Sequence, residues 1–132
     1  MSRDIRMPPE FPGNRYLAAG GLSGFLSVAL GAFGAHALKG RLSEQGLEIY
    51  RTAAHYQIIH ALALVAHGLW CNQMRQDMRV AGLSWIVGSV LFSGSLYALA
   101  ISGIKILGAI TPFGGLLLMA GWLVFAFRAW KA

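Results

Sequence analysis

Residues 80–104 read VAGLSWIVGSVLFSGSLYALAISGI and contain no Asp, Glu, Lys or Arg. An α-helix rises 1.5 Å per residue, so about 20 apolar residues cross the hydrocarbon core of a bilayer, which is roughly 30 Å thick. This stretch is therefore long enough to span a membrane. Three other stretches without charged residues are also longer than about 20 residues, at 16–38, 52–74 and 106–127. The sequence predicts an all-α integral membrane protein with four spans.

The composition supports a membrane location. Of 132 residues, 56% are hydrophobic and 12% are charged, whereas soluble domains typically carry about 25% charged residues. The net charge is +6, but the basic residues are scattered over tails and loops instead of forming one stripe. That pattern is typical of contact with lipid headgroups and predicts the lipid bilayer as partner, with no nucleic acid. The single cysteine, Cys71, excludes an internal disulfide and a CxxC motif.

Turn and cap residues set the predicted boundaries. The chain divides into a mobile N-terminal tail, residues 1–15, and a single transmembrane domain, residues 16–132. Within that domain the spans cover about 16–38, 52–74, 80–102 and 111–130. The last span begins at Thr111 because Thr111 can cap a helix and Pro112 suits its first turn.

The connections between the spans predict their arrangement. Residues 38–51 mix charged and apolar side chains, which indicates a short amphipathic helix at the membrane interface, with Ser43 as its N-cap. The other links are short, and short links make consecutive helices antiparallel neighbours. The predicted fold is therefore an antiparallel four-helix bundle with one interfacial helix between spans 1 and 2.

Basic residues indicate the orientation. An even number of spans places the N-terminal tail, the second connection and the C-terminal tail on one side. That side carries Arg3, Arg6, Arg15, Arg75, Arg79, Arg128 and Lys131, and the other side carries Lys39, Arg41, Arg51 and Lys105. The positive-inside rule then predicts that both termini are cytoplasmic.

Seven uncharged polar residues inside the apolar windows form the candidate site. They are His36, Tyr56, Gln57, His60, Ser93, Tyr97 and Thr111. Counted from the non-cytoplasmic ends of the spans, His36 lies about 3 Å deep, Tyr97 about 8 Å and Ser93 about 14 Å. His60 lies about 12 Å deep by the same count, whereas His67 lies about 22 Å away and is excluded. We call these seven residues the polar cluster and predict that it occupies one leaflet.

Two interpretations of the polar cluster remain open. The first is hydrogen bonding between helices, since polar side chains in lipid need partners and commonly hold bundles together. The second is a binding site for a quinone, a lipid headgroup or a haem held by His36 and His60. No carboxylate or thiolate is near enough to complete a metal shell, so no metal or other cofactor is predicted.

Small residues predict close packing of helices. On span 1 they recur three or four positions apart, and a second group lies on span 4. The predicted packing positions are Gly20, Gly24, Ser27, Gly31, Gly114 and Gly115. The stripe on span 1 favours a homo-oligomer or a membrane-protein partner.

The acidic residues narrow the classes of function. All five lie outside the predicted spans, whereas pumps and coupled transporters generally carry ionisable groups at membrane depth. A channel or transporter therefore ranks last, and no catalytic constellation is complete. We predict a non-enzymatic structural or accessory component of a membrane complex or homo-oligomer, with ligand binding as the alternative.

Five ordered strings resemble a known family. They are GAFGAHALK at 31–39, YQIIHALAL at 56–64, LFSGSLY at 91–97, ITPFGG at 110–115 and Gly121-Trp122. The chain resembles, over about residues 16–130, the uncharacterised small membrane proteins that include YgdD-like bacterial proteins and eukaryotic proteins similar to transmembrane protein 256. The resemblance implies a four-span protein, in the inner membrane for a bacterial member, and implies no activity, substrate or cofactor. The polar cluster falls on these strings, whereas His55 and His67 do not.

Overall fold

The computed structural model describes residues 11–132, and throughout this range the regular structure is helical. The elements are α1 (Asn14–Phe33), a π-helical turn (Gly34–Leu38), α2 (Glu44–Met74), α3 (Arg79–Ser89), a second π-helical turn (Val90–Gly94), α4 (Ser95–Ser102), a 3-10 turn (Lys105–Ala109) and α5 (Thr111–Lys131). The second π-helical turn joins α3 and α4 without a break, so that Arg79–Ser102 is one helix, which we call the α3–α4 helix. The prediction of an all-α protein is confirmed.

Helix α1 begins at Asn14, inside the tail predicted for residues 1–15. The part of that tail at 1–10 lies outside the described residues. At the start of α1, the Gly13 amide donates a 2.6 Å hydrogen bond to Oδ1 of Asn72, and Nδ2 of Asn72 donates a 3.0 Å bond to Oδ1 of Asn14. The end of α2 thus supplies the partners for the start of α1. Local sequence does not contain this information, because Asn72 is distant in the chain.

The separate interfacial helix predicted at 38–51 is wrong. Glu44–Met74 forms one unbroken helix, and the side chain of Ser43 caps it by accepting a 3.0 Å hydrogen bond from the Gly46 amide. Span 2 therefore does not begin a new helix at residue 52. The apolar side chains of the first turns of α2 pack on a buried cluster that contains Leu38 and Ala100. The amphipathic segment thus forms the first turns of α2 and is not a separate helix.

Three helices are long and apolar enough to cross a membrane by length and composition: Asn14–Leu38, Arg79–Ser102 and Lys105–Lys131. The span predicted at 52–74 is not among them, because its three histidines and Gln57 lower its mean hydropathy. Helix α2 packs against α1, α3 and α4 and is the most buried of the long helices. A helix covered by protein can carry polar side chains because its neighbours offer hydrogen-bond partners.

The small residues predicted on span 1 pack mainly within the chain. A Cβ on Gly20 would lie 2.8 Å from the carbonyl oxygen of Ala61, so α1 and α2 meet there at backbone distance. Ser27 is buried, and a Cβ on Gly24 would lie 4.0 Å from the Cβ of Ala61. Gly31 faces open space. The stripe therefore serves the α1–α2 contact, which weakens it as an argument for an interface between copies.

The glycines of α5 pack against the α3–α4 helix. A Cβ on Gly114 would lie 2.4 Å from the Phe92 nitrogen, and one on Gly121 would lie 2.5 Å from Nε1 of Trp85. At Gly115 the added Cβ would make an ordinary 3.6 Å contact with the Phe92 ring. Gly114 and Gly121 therefore permit an approach that no larger residue allows.

Candidate functional site

Gln57 is the centre of a hydrogen-bonded group that joins three helices. Its Oε1 accepts a 2.7 Å bond from the Tyr97 hydroxyl on α4, and its Nε2 donates a 3.3 Å bond to the Ser23 carbonyl on α1. Gln57 is buried and Tyr97 is half-buried. An amide nitrogen has two hydrogens, and Ser23 is the only acceptor that Nε2 reaches among the described residues. One amide hydrogen therefore stays available.

Two serines in and next to the second π-helical turn form hydrogen bonds with other parts of the fold. Ser93 is buried, and its hydroxyl donates a 2.8 Å bond to the Ala53 carbonyl of α2. The Ser95 hydroxyl donates to the Phe92 carbonyl at 3.0 Å and lies 2.7 Å from the hydroxyl of Thr111. Since the single Ser95 hydrogen is directed to Phe92, Thr111 is the donor of the second bond. Thr111 thus bonds to α4, and its predicted role as the cap of α5 is wrong.

His60 is held by both ring nitrogens. Nδ1 lies 2.7 Å from the Tyr56 carbonyl and must donate to it, while Nε2 accepts a 3.0 Å bond from the indole nitrogen of Trp122 on α5. This arrangement fixes one neutral tautomer. A haem iron bound by His60 would have to displace one of these two partners. His36 lies exposed in the first π-helical turn, so the structure does not present the two histidines as a pair of free, opposed ligands.

Tyr56 is next to Gln57 in sequence but lies at the surface. Its side chain is 40% exposed, and its ring stacks on that of His60 with a centroid distance of 6.4 Å and packs 4.8 Å from the Phe92 ring. The structure therefore brings Gln57 and Tyr97 together directly. The other members of the polar cluster bond elsewhere or lie exposed.

Tyr50 is a residue of this region that the sequence did not single out. It is buried, its hydroxyl donates a 2.5 Å bond to the Leu30 carbonyl of α1, and its ring packs edge-on against Tyr97 at 4.9 Å. Its charged neighbours Glu48 and Arg51 had indicated that this part of the chain lies at the membrane interface, outside the spans. The other missed partner, Trp122, lies in one of the recognised strings, and this position is the signal that could have identified it.

A groove separates α1 from the α3–α4 helix. Its volume is about 370 Å³. Leucines from α1 line one wall and Ile86 and Val90 line the other, while Gln57 and Tyr97 reach the groove from α2 and α4. No charged side chain lines it among the described residues. We call this space the groove.

Ser89 adds an unusual polar atom to the wall of the groove. Its hydroxyl oxygen is buried and has no hydrogen-bond partner among the described residues. Buried hydroxyls are normally paired, because an unpaired one loses the hydrogen bonds that water would provide. Ser89 and the free hydrogen of Gln57 are therefore two hydrogen-bonding groups of the groove that the fold itself does not use.

His67 belongs to a different cluster, towards the end of α2. It is fully buried, Nε2 donates a 2.9 Å bond to the Met78 carbonyl, and the rings of Tyr16 and Trp85 pack edge-on against it at 4.9 and 5.7 Å. This position agrees with its exclusion from the polar cluster. Among the described residues, no three His, Cys, Asp or Glu side chains are placed so that they could hold a metal ion.

Asp77 lies in the connection between α2 and α3 and ties it to the start of α1. Its carboxylate accepts a 2.7 Å bond from the Tyr16 hydroxyl, a 2.8 Å bond from Nε of Arg79 and a bond from Arg15. Partial burial acts to raise the pKa of Asp77, but the bonds from Arg15, Arg79 and Tyr16 outweigh it and lower that pKa to about 2. The carboxylate is thus ionised at neutral pH.

Comparison with known proteins gives a consistent result. A family model described as "Protein of unknown function (DUF423)" matches residues 30–115. A UPF0382 membrane protein of Staphylococcus haemolyticus is 43% identical over 116 residues, which cover 88% of this chain and 95% of the relative. A UPF0382 membrane protein of Haemophilus influenzae is 41% identical over 119 residues, with 90% and 96% covered. The UPF0382 membrane protein YwdK of Bacillus subtilis is 37% identical over 118 residues, with 88% and 96% covered. No solved structure is significantly similar.

Proposed function

The chain belongs to the DUF423 family of membrane proteins of unknown function, and we propose that it is a non-enzymatic structural or accessory component of a membrane complex or of a homo-oligomer. The predicted membership of an uncharacterised membrane-protein family is confirmed. Since the family supplies no activity, the proposal for this chain is drawn from its own geometry.

One observation carries the proposal: most of the polar cluster is used to hold helices together. Gln57, His60, Ser93, Tyr97 and Thr111 each hydrogen-bond to another helix. Catalysis needs a nucleophile or base that is positioned but free to react, with a group that stabilises developing charge. Side chains that are already paired within the fold favour a structural role.

We further propose that four helices cross the bilayer as an antiparallel bundle, with α2 as the fourth span. Contacts at the two ends support this. At one end, Arg15 at the start of α1 bonds Asp77, and Met78 shares a pocket with Phe127 near the end of α5. At the other end, the start of α2 approaches the end of α4, where a Cβ on Gly46 would lie 3.7 Å from the Ala100 carbonyl.

The end that contains Arg15 and Asp77 also carries the larger number of basic residues. Arg75, Arg79, Arg128 and Lys131 lie there as well. The positive-inside rule counts Lys and Arg near span ends, so this end is proposed to face the cytoplasm of a bacterial cell, with the protein in the inner membrane.

Single cysteines test the topology. The native cysteine, Cys71, is buried and is first replaced by Ala. A single cysteine is then introduced at one of two exposed positions. Gln76→Cys reports on the proposed cytoplasmic end, and Gln45→Cys reports on the opposite end. In intact spheroplasts, a membrane-impermeant maleimide is expected to label Gln45→Cys only, and Gln76→Cys only after lysis. The reverse pattern would overturn the orientation. Labelling of both positions from one side would overturn the four-span bundle.

Assembly tests the structural role itself. The protein is extracted in a mild detergent, and its mass is measured together with any polypeptide that copurifies in fixed ratio. A homo-oligomer or a stoichiometric complex is expected. A monomer without any partner, both in detergent and after crosslinking in membranes, would refute the proposal.

A further inference from the structure

We propose that the groove binds a membrane quinone, with a quinone carbonyl at Gln57 and the isoprenoid chain along the leucines of α1. This ligand site goes beyond the proposed structural role and rests only on the proposed crossing of the bilayer by α1 and the α3–α4 helix. Three features of the groove support it: its depth in the membrane, its lack of charge and its unused hydrogen-bonding groups.

The polar part of the groove lies deep within the membrane. Ser93 is 14 residues after Arg79 and nine before Ser102, which places it about 21 Å from one end of the α3–α4 helix and about 14 Å from the other. Helix α1 and the α3–α4 helix both pack against α2 but leave the groove between them. A ligand therefore has to enter from the hydrocarbon region.

The absence of charge restricts the head of such a ligand. A phosphate, carboxylate or ammonium group at this depth would have no ion-pair partner in the groove, and isolated charges in the bilayer interior are strongly disfavoured. A phospholipid can therefore place only an acyl chain here, with its head at the surface. A quinone head is uncharged and can lie in the groove itself.

The unused polar groups suit a carbonyl. The second amide hydrogen of Gln57 is a donor, whereas its Oε1 is already occupied by Tyr97. Ser89 lines the groove and carries a hydroxyl that has no hydrogen-bond partner among the described residues. Two donors next to an apolar channel match an acceptor head with an apolar tail.

The walls suit an isoprenoid chain. Leu22, Leu26 and Leu30 line the groove from α1 at intervals of four residues, so they form one apolar strip about 12 Å long. Gln57 bonds to the carbonyl of Ser23, which is next to Leu22 at the first end of the strip. From there the strip extends along α1 towards Leu30. The hydrogen-bonding groups for the quinone head and the apolar strip for its isoprenoid chain are therefore adjacent in the groove.

Binding of a short-chain ubiquinone analogue to the protein in lipid nanodiscs tests the proposal. Titration is expected to show saturable binding. Leu26→Trp fills the groove without removing a hydrogen bond and should abolish binding, whereas Val28→Trp, on the same helix but lipid-facing at 68% exposure, should leave it unchanged. Gln57→Leu should weaken binding about tenfold, the loss expected for one hydrogen bond of about 1.4 kcal/mol.

The competing occupant is a phospholipid acyl chain. Lipids retained by the purified protein are extracted and identified for the original protein and for both Trp variants. Retained quinone that is lost only in Leu26→Trp would support the proposal. Retained phospholipid that quinone does not displace, or quinone binding equal in the two Trp variants, would overturn it. The assembly measurement is separate, so failure here leaves the structural role to be judged by its own result.

Discussion

The Tyr97 hydroxyl donates a 2.7 Å hydrogen bond to Oε1 of Gln57, 40 positions away in the chain. The same amide donates to the Ser23 carbonyl, so that one side chain connects α1, α2 and α4. A polar group in an apolar interior is costly unless it is paired. This pairing therefore fixes the relative positions of three helices and makes their packing specific.

Tyr97→Phe removes the donor and leaves the Gln57 oxygen unpaired. We expect the free energy of unfolding to fall by about 1 kcal/mol, within the range found for hydrogen bonds between membrane helices. Reversible unfolding in mixed micelles measures this difference. Tyr56→Phe is the matched control, since Tyr56 is 40% exposed and its hydroxyl makes no described hydrogen bond. Equal stability of the two variants would contradict the assignment.

Trp122→Phe tests the contact between α2 and α5. The variant keeps an aromatic ring but removes the N–H that donates to Nε2 of His60. His60 is buried, so its unpaired nitrogen should lower the free energy of unfolding by about 1 kcal/mol. Trp130→Phe, at a position that is 89% exposed, should have almost no effect. A similar loss in both variants would instead indicate a general effect of removing indole rings.

The sequence could not predict which polar side chains bond to one another. Counting residues along a span gives a distance along its axis but not the direction in which a side chain points. Neighbouring residues on a helix point about 100° apart. Tyr56 therefore faces the surface although Gln57 is buried. His36 lies in a π-helical turn, whose extra residue alters the direction of the side chains that follow.

The limits of the helices depended on distant contacts. The apolar windows identified the helical regions, and α2 and α4 end at Met74 and Ser102, the limits predicted for spans 2 and 3. The predicted start of the second helical span, at residue 52, was wrong. The charged residues between 38 and 51 had indicated a separate helix at the membrane surface. In the fold, Ala100 of α4 packs on the apolar side of that segment, and this contact cannot be seen in the local pattern.

Gly114→Ala should disrupt the contact between α5 and the second π-helical turn. The added Cβ would lie 2.4 Å from the Phe92 nitrogen and 2.8 Å from the Leu91 carbonyl carbon. Both are backbone atoms, so the helices must separate, and overpacking of this kind typically costs about 1–3 kcal/mol. Unfolding in mixed micelles is again the measurement. Gly21→Ala meets no atom within 4 Å and should be neutral or slightly stabilising, so equal losses would argue against this packing.

Asp77 makes stability depend on acid pH. Its pKa in the folded protein, about 2, is lower than the ordinary value of 3.8. A group with a lowered pKa in the folded state stabilises the fold fully above its ordinary pKa and loses that contribution as the pH falls towards the folded value. Wild type should therefore be more stable than Asp77→Asn at neutral pH, and the difference should shrink between about pH 4 and pH 2.

Thermal unfolding in detergent at about pH 7, 4 and 2.5 measures this dependence. Glu48→Gln is the control, because its side chain is exposed and makes no described ion pair, so this variant should follow the wild-type pH profile. The contacts of Asp77 join the start of α1 to the connection after α2. Loss of the carboxylate should thus increase amide exchange at residues 13–17 more than in the middle of α5. A constant difference between wild type and Asp77→Asn across this pH range would show that its ionisation does not stabilise the fold.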